Sequence, residues 1–325
     1  MPSTLKTSPR QRARLPRKTR AAANTPPVAA PVAEPSRRAV LATEALLLVM
    51  ATIWGVNYIV VKFGAEQLGS TAFNSLRLGI ASVMLLVIAQ LSARTAWPSR
   101  RDMLALLGLG VLGNFIYQIF FIEGLARTQP GTASLVFASG PALIAVVGRA
   151  FGVERVTRRG LLGIVASIAG VALVMLGSGQ ATGAGSLPGY ALCLAGALCW
   201  AFFTVLLKPY TERVNAMQLS AILMVGGAVP MLALAAPRLA ATHWSALPGM
   251  AWAALAYSSV LAMVVAYSIY YRGVRVIGPT RTSMFSNVQP FVALLAAWAF
   301  NYGVPTPVQL AGAVGIMGGV LLTRS

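Results

Sequence analysis

Long apolar stretches of this sequence are interrupted by a few side chains that can hydrogen-bond or carry charge, and their spacing groups them on helix faces. Trp54, Asn57 and Tyr58 share one face of a first apolar segment, and Asn114, Tyr117, Gln118 and Phe121 share one face of a third. Trp200, Phe203 and Thr204 lie on a sixth, and Tyr267, Tyr270 and Tyr271 on an eighth. In a ninth, Ser283, Asn287 and Pro290 recur at i, i+4 and i+7, with Gln289 between them. Amides and hydroxyls among aromatic rings suit a moderately polar or aromatic organic solute, whereas a bare ion needs a ring of charges or carbonyls. The expected solute-binding set is therefore Trp54, Asn57, Asn114, Tyr117, Gln118, Trp200, Tyr267, Asn287 and Gln289. The alternative for each amide is a bond to a neighbouring helix, and for the tyrosines an interfacial belt. Intramembrane charge is scarcer. Lys62, Arg77 and Glu123 fall toward the outer ends of their segments, where Arg77 and Glu123 can pair as a gate or proton-responsive coupling site, or snorkel to the head groups. Snorkelling is the expectation for Lys62.

Other chemistry is poorly provided for. Seven acids, one His and two Cys in 325 residues leave almost nothing for a metal site, a catalytic triad or a disulfide framework. Neither an enzyme nor a cofactor is expected. Cys193 and Cys199, six residues apart, face different ways on a helix and read as reduced structural thiols. The net charge of +19 points at first to nucleic acid, but nine of the 26 Lys and Arg residues lie in the first 38 positions. Nucleic acid is therefore not an expected partner. Residues 1–40 read as a disordered, basic, Pro/Ala-rich cytoplasmic tail, which either approaches anionic lipid or serves as a solvated leader.

The elements that must hold the polar residues are membrane spans. The chain is 57% hydrophobic and 10% charged, against roughly 25% charge in ordinary soluble domains. A span needs about 20 apolar residues, and ten such segments follow one another at 43–63, 72–92, 103–125, 130–150, 160–178, 187–207, 216–236, 250–272, 279–299 and 306–323. Gly/Ser-rich residues 177–189 and the Asn301-to-Pro307 stretch divide the two longest uncharged runs. Ten spans put both termini on one side. With a cytoplasmic N-terminus, the inner loops hold Arg94, Arg100, Arg101, Arg149, Arg155, Arg158, Arg159, Lys208, Arg213, Arg272, Arg275, Arg281 and Arg324, and the outer side only Lys62, Arg127 and Arg238. The positive-inside rule then orients the chain.

The two halves repeat. A shift of 149 residues pairs Gly124 with Gly273, Pro130 with Pro279, Ser134 with Ser283, Pro141 with Pro290 and Gly170 with Gly319, and a shift of 146 pairs Trp54 with Trp200. Five spans per half force the second half to insert upside down, so the expected fold is an all-α polytopic membrane protein of ten transmembrane helices in two inverted five-helix repeats, residues 41–180 and 185–325. Pro141 and Pro290 each remove a backbone donor and free the carbonyl four residues earlier, which marks them as matched hinges beside a central cavity. Gly315 and Gly319 form a GxxxG, read as close packing within the bundle or as a dimer seam; monomer and homodimer both stay open.

Trp54-Gly55-Val56-Asn57-Tyr58, Gly152-Val153-Glu154-Arg155-Val156-Thr157 and the Gly-rich fifth span resemble the EamA-type transporters of the drug/metabolite transporter superfamily over roughly residues 42–323. The resemblance implies an inner-membrane secondary carrier of small organic metabolites, often outward, with amino-acid-like solutes first and a cavity lined mainly by spans 3, 4, 8 and 9, helped by 1 and 6. An importer, a multidrug-type carrier of the same fold, or a membrane-embedded enzyme are the alternatives. Phe300-Asn301-Tyr302-Gly303 departs from the family's repeated loop, leaving its Glu only at Glu154, where it ties the loop to adjacent basic residues. If transport is proton-coupled, Glu123 is the acid expected to carry the proton.

Overall fold

A computed structural model describes residues 36–92, 96–153, 157–177 and 187–323. The basic tail through Pro35, Arg94, residues 154–156 with Glu154, the linker 178–186 and Arg324 lie outside them. The described chain forms ten helical rods: α1 (Arg37–Leu68), α2 (Ser70–Ser92), α3 (Arg100–Ala126), α4 (Pro130–Ala150), α5 (Arg158–Gly177), α6 (Leu187–Arg213), α7 (Ala216–Ala240), α8 (Gly249–Ile277), α9 (279–299) and α10 (Pro307–Thr323). Seven of them, α1 to α4 and α6 to α8, are long and apolar enough to cross a membrane by length and composition. The outer surface is apolar, with Val314 72% and Leu295 67% exposed, as hydrocarbon rather than water demands.

Local chemistry sets the rod ends. Ser99 and Asn215 accept backbone bonds from Asp102 and Met217 and so cap α3 and α7. Pro130 and Pro279, one repeat apart, occupy first helical positions, where the missing N–H costs nothing. Gly69, at φ +82°, makes the one-residue link between α1 and α2. One boundary corrects the sequence reading. Helix α1 starts at Arg37, inside the stretch assigned to the tail, because Ser36 Oγ caps the Ala39 N–H.

The packing is duplicated. Helix α2 lies against its repeat mate α7 and α5 against its mate α10, while α1 touches α8 and α9 as α6 touches α3 and α4. Small residues let mates approach to backbone contact. A Cβ on Gly170 would sit 2.6 Å from the Gly312 carbonyl oxygen, and one on Gly319 2.4 Å from that of Gly163. The GxxxG of α10 is thus occupied inside the bundle, against α5.

Irregular backbone is duplicated too. A π-turn at Val111–Ile116 in α3 has its counterpart at Tyr257–Val265 in α8, the starts 146 residues apart. In α4 the Ala138 N–H is shared between the Ser134 and Leu135 carbonyls, four and three residues back, and the Ser139 N–H reaches back three residues to Val136. The equivalent place in α9 is a 3-10 turn at Phe285–Asn287. Both breaks stand just ahead of Pro141 and Pro290, where the ring has removed the donor that would continue the α ladder.

Contacts to carboxylates mark the two ends of the bundle. Glu44 with Arg281 and Asp102 with Arg213 lie at one end. At the other, Tyr302 Oη donates to Glu66 at 3.2 Å, and burial, reinforced by that carboxylate, pushes the Tyr302 hydroxyl up to about 12, so it remains a donor at neutral pH.

Candidate functional site

Helices α3, α4, α8 and α9, with α1, α2 and α6, line a central cavity of about 70 Å³ between the two halves, and the irregular turns of α8 and α9 contribute Ala262, Met263 and Ser286 to it. Of the residues expected to bind solute, Trp54, Asn57, Tyr117, Gln118, Trp200, Tyr267 and Gln289 line it. Asn114 and Asn287 do not. The π-turn widens the helix by a residue per turn, so Asn114 no longer shares the face of Gln118 and Phe121, and its Nδ2 donates to the Leu223 carbonyl of α7 at 3.2 Å. In α9 the 3-10 turn replaces the period of 3.6 by three, bringing Ser283, Ser286 and Gln289 to the cavity in place of Ser283, Asn287 and Pro290. Asn287 is buried, its Oδ1 without a hydrogen-bond partner among the described residues. Pro141 lines the cavity with Phe137 and Gly140, while Pro290 stands one residue past Gln289, outside the lining.

Aromatic rings form most of the wall. Trp54 meets Tyr267 edge-on at 5.3 Å and Trp200 at 6.0 Å, and Tyr117 lies 4.9 Å from Trp200. Such contacts fix ring orientation and contribute about 0.5–1.5 kcal/mol each beyond area burial. The indole of Trp54 donates to the Ala262 carbonyl at 2.9 Å, inside the π-turn of α8, and Tyr257 Oη of that turn returns a bond to the Ile53 carbonyl at 3.0 Å. The π-turn therefore docks α8 onto α1 through polar groups as well as rings.

Arg77 is the largest departure from expectation. Placed by sequence near the outer rim, it is fully buried and lines the cavity. Its Nε donates to Asn74 Oδ1 at 2.8 Å, Nη1 to Ser258 Oγ at 3.0 Å and Nη2 to Gln118 Oε1 at 2.7 Å, with the Phe121 ring centred 5.7 Å away. Gln118 Nε2 passes the chain on to Tyr267 Oη at 3.1 Å. A guanidinium in hydrocarbon is costly, and these acceptors on α2, α3 and α8 make the inward direction favourable. Depth counted along the span does not show this, but Asn74, one turn before Arg77, is a polar partner on the same face that the sequence reading passed over.

Glu123 does not meet Arg77. It pairs with Arg127, one turn on, and accepts from Ser70 at the start of α2. Lys62 does not snorkel, since its Nζ donates to the carbonyls of Leu125 and Ala126 in the last turn of α3 and of Thr128 just beyond it. Beside it lies a cleft of about 460 Å³ lined by Lys62, Arg127, Gln129 and Tyr302. Cys193 and Cys199 are buried free thiols, and among the described residues no group of His, Cys, Asp and Glu could hold a metal ion.

The family model described as "EamA-like transporter family" matches residues 41–176 and again 187–325. The uncharacterized transporter YyaM of Bacillus subtilis is 27% identical over 280 residues, 85% of this chain and 91% of that protein. A protein of Streptantibioticus cattleyicolor described as a probable terminal-alkyne amino-acid exporter is 27% identical over 286 residues, covering 87% and 93%. The uncharacterized inner membrane transporter YedA of Escherichia coli K12 is 28% identical over 260 residues, covering 77% and 79%. A crystal structure aligns with a TM-score of 0.61 at 18% identity, over 87% of this chain and 97% of that one, and so shares the fold.

Proposed function

This multi-pass membrane chain belongs to the EamA-like transporter family, and we propose that it exports small amino-acid-like organic solutes across the cell inner membrane by alternating access. It is a transporter and not an enzyme. The observation that carries the proposal is the cavity itself, walled jointly by the two halves and bringing amides, hydroxyls and a cation together with aromatic rings. Such a lining fits a solute with a polar end and an apolar body. The S. cattleyicolor protein described as a probable terminal-alkyne amino-acid exporter, related over most of its length, supports the direction and the class.

At about 70 Å³ the cavity is far below the roughly 300–1,000 Å³ of ordinary ligand sites. Loading therefore requires the two repeats, which we delimit as residues 41–180 and 185–325, to part around it. The breaks ahead of Pro141 and Pro290 are where α4 and α9 lack continuous α bonding and can bend. We assign both termini to the cytoplasm from the sequence alone, because thirteen basic residues fall in the loops on that side and three on the other.

Efflux of a labelled amino-acid panel from loaded proteoliposomes tests the reading. At least one member should leave faster than from protein-free vesicles, and loss of none would overturn it. For the orientation, a periplasm-active reporter fused after Arg324 should stay silent; activity there would overturn both the side assignment and the inverted insertion.

A further inference from the structure

Arg77 is fully buried and has no carboxylate partner among the described residues. The described carboxylates are engaged elsewhere, Glu44 with Arg281, Glu66 with Tyr302, Asp102 with Ser99 and Arg213, Glu123 with Ser70 and Arg127, and Glu212 with Lys208. All three acceptors that hold the guanidinium are neutral oxygens, from Asn74, Ser258 and Gln118. Of its five N–H groups, three are used. One on Nη1 and one on Nη2 remain without a partner among the described residues, and a carboxylate can accept from one N–H of each terminal nitrogen.

The repeat sharpens the point. One repeat on from Arg77 stand Leu223 or Gly226, at shifts of 146 and 149, so the charge belongs to one side of an otherwise two-fold cavity. A residue needed only to hold α2 in the bundle requires no charge, since an amide could use the same acceptors at lower desolvation cost. Asn57 of α1, in the lining of the same cavity, shows the complementary defect. Its Oδ1 is buried and has no donor among the described residues.

We propose that Arg77 is the anion-binding group of the cavity, taking the carboxylate of the transported solute in its two remaining N–H groups, while Asn57 Oδ1 accepts from the solute's ammonium. The inference rests on the amino-acid-like reading above and narrows it. Solutes lacking an anionic group bind more weakly because they leave the guanidinium uncompensated. The network of Asn74, Ser258, Gln118 and Tyr267 holds the fork in place before the solute arrives.

The test uses the full chain in nanodiscs, with binding read from the fluorescence of Trp54 and Trp200. Probes are the standard amino acids, their amides, and the amine-free carboxylate 3-phenylpropanoate. The wild type should bind at least one carboxylate roughly ten- to a hundredfold more tightly than its amide, as expected for a charged hydrogen-bonded contact. Arg77→Gln should erase that preference, so that each carboxylate and its amide bind with similar affinity. Arg77→Lys, which keeps the charge without the fork and guards against misfolding of the first variant, should weaken carboxylate binding at least fivefold while retaining the preference. Equal affinity for acid and amide, unchanged carboxylate affinity in either variant, or binding of no carboxylate overturns the proposal. Amino acids bound undiminished by Arg77→Gln would leave the exporter reading standing without this site. Binding of 3-phenylpropanoate through Arg77 with no amino acid bound would keep the anion site and remove the amino-acid reading.

Discussion

Gln118 Nε2 donates to Tyr267 Oη across 3.1 Å, and the two residues stand 149 positions apart, one repeat of the sequence. Two-fold mates touch each other only where both lie on the axis. Trp54 and Trp200, mates at a shift of 146, do the same with ring centroids 6.0 Å apart. The pseudo-two-fold axis therefore runs through the cavity, and its asymmetry is chemical. One half contributes an amide where the other contributes a phenol, and only the first half contributes Arg77.

The Gln118 bond leads to a graded expectation for stability. Tyr267→Phe removes one neutral hydrogen bond and should cost about 1 kcal/mol, whereas Gln118→Leu also strips an acceptor from the buried Arg77 guanidinium and should cost about 2–3 kcal/mol. Thermal unfolding in detergent checks this. Equal losses would mean that the Arg77–Gln118 contact contributes nothing to the fold.

Glycine contacts give a second expectation. Gly170→Ala places a methyl 2.6 Å from the Gly312 carbonyl oxygen and the Ile316 backbone nitrogen, so α5 and α10 must separate. Overpacking of this kind costs about 1–3 kcal/mol. Gly318, with nothing within 4 Å of its would-be Cβ, is the control. Its change to Ala should be neutral or stabilising by up to about 1 kcal/mol, from helix propensity alone. A Gly170→Ala protein as stable as wild type would rule out backbone contact between the mates.

The rods, the duplication and most of the cavity wall were legible because apolar length, loop charge and a shifted self-match are properties of the chain as a string. Face assignments failed where the helix stopped being an α-helix. Asn114 and Asn287 were placed with a period of 3.6, and the π-turn in α3 and the 3-10 turn in α9 moved them off the cavity. Pro290 flagged the second irregularity, but nothing comparable announces a π-turn at Val111. Arg77 was misplaced for another reason. The direction of a long side chain depends on acceptors contributed by other helices, here Gln118 of α3 and Ser258 of α8, whose proximity only the folded chain reveals.

Pro141 and Pro290 provide a functional expectation. In α4 the Ser139 N–H ahead of Pro141 bonds three residues back, and Pro141→Ala supplies a donor to the Phe137 carbonyl and favours a straight rod. Folding should be little affected and the bending step slowed. Efflux rates should fall several-fold for Pro141→Ala and for Pro290→Ala at unchanged membrane abundance. Rates equal to wild type in both would remove the prolines from the transport cycle.

Glu123 supplies the last expectation. It joins the start of α2, through Ser70, to Arg127 at the end of α3, away from the cavity lining. The pair is partly exposed, with 27% of the Glu123 and 46% of the Arg127 side chain accessible, so its loss should cost no more than about 1 kcal/mol of stability. Glu123→Gln removes the one proton-accepting group at this junction while keeping its shape and its capacity to bond Ser70. If a proton taken up there loosens α2 from α3 during the cycle, the variant should still bind solute, but its efflux from proteoliposomes should respond less to an imposed pH gradient. Arg127→Gln separates the two roles, because it breaks the same ion pair yet leaves the carboxylate, and should keep the gradient response. Identical gradient dependence in wild type and Glu123→Gln would exclude Glu123 as the proton site, and a response lost equally in both variants would assign the effect to the ion pair rather than to the proton.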